Sequence, residues 1–234
     1  MFGTVVNTAA IFAGGLAGLI LRGGIKDRYK EIITQAIGLA VLFVGGAGAI
    51  GKMILPEAHP VLFIISLAAG GFFGELLGIE NRLEKLGAWM QRKVKLKEEY
   101  GSLSAGFVAA SLLFCVGTMA ILGPLESGLQ GQHGILLAKS ALDGITAVVM
   151  ASTLGVGVLF SAASVFAYQG MITLLAVWIS PYLTGNMMRE ISLVGGIMIA
   201  GLGLNMLGIT KIRVGNLLPA VLVPVIYYLI AGLV

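Results

Sequence analysis

The sequence predicts an all-α, polytopic transmembrane helical bundle, and three observations lead to that prediction. Of the 234 residues, 58% are hydrophobic and only 11% are Asp, Glu, Lys or Arg, whereas soluble domains are about one quarter charged. Glycine is abundant, at 35 residues, as expected where helices pack closely in lipid. The apolar residues fall in long runs with short polar connections. We therefore expect one glycine-rich transmembrane domain over residues 1–234.

Eight apolar runs come close to the length that a spanning helix needs, about 20 residues. The predicted helices one to eight cover residues 4–21, 32–54, 60–79, 103–123, 139–164, 168–183, 191–209 and 214–233. The division between helices five and six, placed at SVFAYQG, is the least determined, and seven helices result if one run does not cross. The stretch LFVGGAGAIG at 42–51 is echoed by LFCVGTMAILG at 113–123, which suggests an internal repeat of the hairpin of helices two and three.

The lysines and arginines predict the orientation of this bundle, because they concentrate in cytoplasmic connections. Twelve of the 15 lie in the first, third and seventh connections: Arg22, Lys26, Arg28, Lys30, Arg82, Lys85, Arg92, Lys93, Lys95, Lys97, Lys211 and Arg213. The other three are Lys52, Lys139 and Arg189. The odd-numbered connections are therefore expected in the cytoplasm, with both termini outside.

The third connection contains a basic, amphipathic segment at residues 80–98. Apolar residues recur there at spacings of three or four, from Ile79 to Val94, beside basic residues and Trp89. This is the pattern of a helix with one apolar face. We expect it to lie on the inner leaflet, attracted by anionic lipids. Docking on a regulatory partner is the alternative.

Two charges stand inside the apolar fifth helix. Lys139 and Asp143 are four positions apart, and helical spacing places them on one polar face. That face continues with Thr146, Met150, Thr153, Gly157, Ser161 and Ser164. A charge near the bilayer centre costs at least about 2.5–3.5 kcal/mol, so the face is expected to line a hydrated interior. The alternative is an interfacial ion pair with Lys139 extended toward the headgroups, while the hydroxyls bond to their own backbone.

Further small polar residues lie on other predicted helices. They are Ser111, Cys115 and Thr118 on helix four, Glu75 on helix three, Asn205 on helix seven and Asn216 on helix eight. Glu75 would either bind a proton or cation or reach water at the cytoplasmic end. Pro219 and Pro224 predict a broken helix eight, because proline removes a backbone donor. Such breaks are tolerated where they are buried or line a cavity, and transporters use them to hold ions.

The sequence lacks the patterns of an enzyme or a metal protein. No P-loop, HExxH or GxSxG motif is present, and His59 and His133 have no partner histidines at metal-ligand spacing. The single cysteine excludes an internal disulfide. The net charge of +4 is explained by membrane topology. We therefore expect no catalytic activity, cofactor, metal site or nucleic-acid partner.

Several blocks of the sequence resemble those of one known family. They are GTVVNTAAIFAGGLAG, GFVAASLLFCVGTMAILG, LLAKSALDGITAVVMASTLGVGVLFSA, YQGMITLLA, GGIMIAGLGLNMLGI and VGNLLPA. The chain is similar over nearly its whole length to the bacterial membrane proteins catalogued as domain of unknown function 554. The resemblance implies a polytopic protein of the bacterial inner membrane and suggests a transporter or permease, without giving a substrate.

These observations lead to three functional hypotheses. The first is a secondary transporter for a small solute or ion, whose path is lined by helices four, five and eight, with Asp143 binding a coupling ion. The second is a passive channel. The third is a scaffold or sensor that acts through the basic segment 80–98. A homodimer is also suggested, because close-contact surfaces are offered by Gly14, Gly18, Gly70, Gly74 and Gly78. Contacts within one subunit are the alternative use of these surfaces.

Overall fold

The computed structural model describes residues 1–23, 27–55, 59–83, 85, 103–116 and 118–231. Helices dominate these residues, which contain no strand. They are α1 (Phe2–Arg22), α2 (Asp27–Met53), α3 (Pro60–Leu77), α4 (Leu103–Cys115), α5 (Thr118–Leu129), α6 (Gly134–Leu154), α7 (Gly157–Leu174), α8 (Ala176–Ile179), α9 (Gly185–Met206) and α10 (Leu222–Ala231), with 3₁₀ helices at Ser180–Tyr182 and Val214–Val221. The all-α prediction is confirmed. Most of the basic segment 80–98 lies outside the described residues.

The helices have the lengths and composition of a multi-pass membrane protein. Among the described residues, seven helices are long and apolar enough to cross a membrane, the last being the 3₁₀ segment joined to α10. The helices α4 and α5 pass the same test together, but they are bent by 59° at their junction. This pair is either an eighth, broken crossing or a re-entrant loop.

The chain forms two compact units, each with its own internal contacts. Unit one is Met1–Ile37, Glu84–Cys115 and Met119–Ser180, and unit two is Gly38–Leu83, Val116–Thr118 and Pro181–Val234. The single domain over residues 1–234 and the hairpin repeat stay predictions.

The predicted boundary between helices five and six is wrong. Helix α6 ends at Leu154 because Gly155 adopts a φ of 88°, a left-handed conformation that glycine adopts without strain. Helix α7 begins at Gly157, so the stretch SVFAYQG lies inside it. Ser161 and Ser164 therefore belong to α7, and the polar face does not continue along one helix.

The predicted start of helix seven is also wrong. Helix α9 begins at Gly185 instead of residue 191, because the Thr184 hydroxyl accepts a hydrogen bond from the Met187 N–H at 3.2 Å. A threonine in this position satisfies one of the free amides at a helix start. Arg189 and Glu190 consequently lie within the helix. The predicted break in helix eight is confirmed, since a 3₁₀ helix precedes α10.

Glycines allow close contact between helices within each unit. In unit one, an added methyl group would overlap the helix packed against Gly14 or Gly18, and in unit two the same holds for Gly70 and Gly74. These four glycines therefore serve packing inside the chain. The homodimer stays a prediction, but these four glycines no longer support it.

The direction of α1 relative to α6 determines whether the chain crosses the membrane an odd or an even number of times between them. Within unit one, Gly3 lies against Leu136 near the starts of both helices, and Gly18 lies against Val148 further along both. The helices α1 and α6 are therefore parallel. Each crossing reverses the chain, so an odd number of crossings must separate them. That number is three only if α2, α3 and the bent pair all cross.

Unit two gives the same count independently. Gly70 of α3 lies against Ala220, whereas Gly74 lies against Asn216, so α3 and the last span are antiparallel. An even number of crossings must then separate them, which requires the bent pair as well as α6, α7 and α9. Both units thus favour eight crossings.

This topology can be tested with single cysteines in a Cys115→Ala chain. We expect Leu55→Cys and Gln130→Cys, both exposed, to react with an impermeant maleimide from the same side, because two crossings, α3 and the bent pair, separate them. Tyr29→Cys should react only from the opposite side. Labelling of Gln130→Cys together with Tyr29→Cys would show that the bent pair is re-entrant.

The glycine contact in unit one makes a second expectation. A methyl group at Gly14 would overlap the backbone carbonyl of Gly144, and overpacking of this kind costs about 1–3 kcal/mol. Gly14→Ala should therefore lower the thermal unfolding temperature of the purified protein. Gly46→Ala is the control, since nothing lies within 4 Å of the added atom. Equal unfolding temperatures for the two variants would contradict the packing described.

Candidate functional site

The two charges of α6 form a buried ion pair. The Lys139 Nζ lies 2.9 Å from Asp143 Oδ1 and 2.8 Å from Oδ2. The two side chains are only 8% and 9% exposed. Lys139 therefore does not extend to the surface. The two residues stand one helical turn apart, and each neutralises the charge of the other.

Two amides from neighbouring helices complete a polar cluster around this pair. The Asn7 Nδ2 of α1 donates to Asp143 Oδ2 at 3.1 Å and to Gln169 Oε1 of α7 at 3.2 Å. Asn7 and Gln169 are fully buried. The polar cluster, defined as Asn7, Lys139, Asp143 and Gln169, thus joins three membrane-spanning helices of unit one. The hydroxyls of Thr4 and Thr173 lie 3.3 Å apart between α1 and α7.

The polar cluster is not fully hydrogen-bonded. Among the described residues, Asn7 Oδ1 and Gln169 Nε2 are buried atoms without a partner. A buried polar atom left unpaired costs about 1–3 kcal/mol. The cluster therefore offers one open acceptor and one open donor beside a neutralised pair of charges.

Helix α4 brings two of the predicted residues to unit one. Cys115 is a free, half-buried thiol within electrostatic range of Lys139 and Asp143. The Ser111 hydroxyl is buried and has no partner among the described residues. The side chain of Thr118, the third predicted residue of this group, lies outside the described part of the chain.

Three predicted hydroxyl residues bond to their own helices instead. Thr146 donates to the Leu142 carbonyl at 2.8 Å, and Ser161 donates to the Val158 carbonyl at 2.6 Å. Thr153 donates to carbonyls one turn back as well, at 3.1 and 3.3 Å. These hydroxyls are satisfied where they stand, as serine and threonine in apolar helices often are.

Glu75 and Asn216 fasten the 3₁₀ segment to the end of α3 in unit two. The Arg213 Nη1 donates to Glu75 Oε1 at 2.6 Å, and the Asn216 Nδ2 donates to Glu75 Oε2 at 2.7 Å. The Asn216 Oδ1 accepts from the Glu80 N–H at 2.7 Å. Glu75 is 55% exposed, so it reaches the surface as an ion pair and is not a buried proton site.

Asn205 has a structural role at the end of α9. Its Oδ1 accepts from the Ile212 N–H and the Thr210 hydroxyl, both at 2.8 Å. Its Nδ2 donates to the Ile212 carbonyl at 2.6 Å. The side chain thereby closes the loop that follows the helix, and all its hydrogen-bonding atoms are used.

The structure adds two buried residues that the sequence did not reveal. Gln169 falls in the stretch interpreted as a helix break, and Glu190 falls just before the predicted start of helix seven, yet both are fully buried. The signals were present: an uninterrupted apolar run around Gln169 and a capping threonine at residue 184. No group of three or more His, Cys, Asp or Glu that could hold a metal ion occurs in the described ranges.

Comparison with known proteins places this architecture in a family. The family described as "Protein of unknown function (DUF554)" matches residues 2–229. The uncharacterized membrane protein YdfK of Bacillus subtilis is 42% identical over 224 residues, covering 96% of this chain and 94% of that protein. The uncharacterized protein YqgA of Escherichia coli is 30% identical over 225 residues, covering 95% and 94%. No solved structure matches. The chain therefore belongs to the DUF554 family of proteins of unknown function.

Proposed function

We propose that the protein is a secondary transporter, and that the polar cluster of unit one binds a small neutral or zwitterionic solute. The observation that supports this proposal is the pair of open atoms, Asn7 Oδ1 and Gln169 Nε2, beside the buried ion pair. A pair with a purely structural role would be expected to have its neighbours satisfied. A polar guest that donates to Asn7 and accepts from Gln169 would complete the missing hydrogen bonds.

The charges of the polar cluster favour a solute without net charge. Lys139 and Asp143 sum to zero, and the two amides add no charge. In a medium of low dielectric constant, a guest with net charge would be left uncompensated, which is costly. A zwitterion could instead place its positive group against Asp143 and its negative group against Lys139.

The proposed path differs from the one expected from sequence. Helices α1, α6 and α7 hold the polar cluster, and α4 contributes Cys115 and Ser111 to the same unit. In the broken last span, Asn216 is the residue that was expected to contact the solute. Its side chain is instead hydrogen-bonded to Glu75 and Glu80. We therefore assign solute binding to the polar cluster and leave the last span out of it.

The proposed location is the bacterial inner membrane, with both termini outside. If the chain crosses eight times, the C-terminal ends of α1, α3, α6 and the seventh span, α9, lie on one side of the membrane. Arg22 ends α1, and Lys211 and Arg213 follow α9, so these basic residues share that side. Positive charge favours the cytoplasmic side, which assigns it to the inside.

Transport can be tested with purified protein in vesicles. A thermal-shift panel of amino acids, polyols, carboxylates and inorganic ions identifies stabilising compounds, since binding to the folded state raises the unfolding temperature. We expect a neutral or zwitterionic compound to stabilise the protein and to enter vesicles by saturable counterflow. Asp143→Asn should weaken its binding at least tenfold, because a charged hydrogen-bond acceptor is lost.

Thr146→Val is the matched control on the same helix, since the Thr146 hydroxyl bonds only to its own backbone. It should bind and transport as the parent does. Flux that rises without saturation would point to a channel, and unchanged binding by Asp143→Asn would remove the polar cluster from the mechanism.

A double-mutant cycle on Lys139 and Asp143 distinguishes a role in solute binding from a role in stability alone. Lys139→Ala leaves a buried carboxylate unpaired, which should cost about 3–5 kcal/mol of unfolding free energy. Changing Asp143→Ala as well removes that charge and should recover much of the stability, while transport stays lost. The measurements are thermal unfolding and counterflow for the single and double variants. Parent-like counterflow by the double variant would show that the ion pair contributes only to the stability of the fold.

A further inference from the structure

Unit two contains a second buried carboxylate, and it is held very differently from Asp143. Glu190 of α9 is fully buried. Its Oε1 accepts a hydrogen bond from the backbone N–H of His59 at 3.1 Å. Its Oε2 has no hydrogen-bond partner among the described residues. One oxygen of a carboxylate inside a membrane-spanning helix is therefore open.

The groups around Glu190 come from three helices. Arg189 precedes it on α9, and His59 stands at the start of α3. On α10, the Tyr228 hydroxyl interacts electrostatically with both Glu190 and Arg189, and Tyr227 contacts the His59 ring at a centroid distance of 6.3 Å. Within the described ranges, no lysine or arginine forms a salt bridge with Glu190.

Reversible cation binding requires a carboxylate oxygen that is not already paired with a positive group. In this respect Glu190 differs from Asp143. Both Asp143 oxygens contact the Lys139 ammonium, so an incoming cation would have to displace an existing one. Glu190 keeps an oxygen available. Its other oxygen lies at the N-terminus of α3, where the free amides and the helix dipole stabilise negative charge. The carboxylate is thus stabilised when empty, and its Oε2 is unpaired and available to a cation.

We propose that Glu190 is the anionic ligand of an exchangeable monovalent cation, H⁺ or Na⁺. A single carboxylate balances one positive charge, whereas Ca²⁺ and Mg²⁺ carry two charges and are usually held by more than one anionic or carbonyl ligand. Loading neutralises Glu190, and release restores the carboxylate held by His59. The role of this ion in driving transport rests on the proposed function, but the site itself does not.

The test uses the full-length protein in detergent and Glu190→Gln. Glutamine keeps an oxygen that can accept from the His59 N–H, so the fold should persist, but it cannot bind a proton or balance Na⁺. Glu75→Gln is the matched control, because Glu75 is a surface carboxylate of the same unit paired with Arg213. If Glu190→Gln yields little folded protein, Glu190→Asp takes its place, with the carboxylate withdrawn by one methylene.

Two measurements distinguish the cations. For H⁺, infrared difference spectra between acidic and alkaline pH should contain a carboxylic-acid band that Glu190→Gln removes, Glu190→Asp shifts and Glu75→Gln retains. For Na⁺, the unfolding temperature should rise in sodium chloride relative to choline chloride, and that rise should vanish in Glu190→Gln and survive in Glu75→Gln.

Either result supports the site and identifies its ion. Parent-like pH spectra and sodium response in Glu190→Gln would overturn the proposal and leave Glu190 as a cap for α3. Neither measurement involves flux, so a failure here is separate from a failure of the transport experiments.

Discussion

One constraint governs the structure: polar groups inside a membrane bundle must find their partners within the chain, because hydrocarbon offers no hydrogen bonds. Several polar side chains of the described residues obey it locally, as Thr146 and Ser161 do by bonding to their own helices. The polar cluster obeys it only in part. Its ion pair is complete, but Asn7 and Gln169 each keep one open atom. Because such openings are costly, they mark the place where a guest would contribute most.

The glycine content and the polar cluster are parts of one arrangement. Asn7 reaches Asp143 because α1 lies close to α6, and that approach requires bare backbone at Gly14, where an added methyl group would overlap the Gly144 carbonyl. Near the other end of the same two helices, the Arg22 guanidinium donates to the carbonyls of Ser152 and Thr153. It thereby satisfies groups left free where α6 stops. Small residues thus set the distance at which the polar residues meet.

The sequence predicted the helical membrane fold, because composition determines it, and it offered the pairing of Lys139 with Asp143 only as an alternative, based on their spacing of four residues. It did not predict the partners of that pair. Gln169 was missed because the end of α6 depends on the backbone angle of one residue, Gly155. Glu190 was missed because a single threonine cap extends α9. Tertiary contacts decide whether a hydroxyl or amide is satisfied locally, and the sequence does not contain them explicitly.

Our central proposal is that the polar cluster is a buried binding site with an intact ion pair. Electron cryomicroscopy of the protein in lipid nanodiscs, at a resolution that reveals side chains and ordered water, examines it most directly. The account requires the Lys139 ammonium on Asp143 and non-protein density beside Asn7 Oδ1 and Gln169 Nε2. A map with Lys139 extended to the lipid headgroups, or with those two atoms sealed by protein contacts, would contradict it.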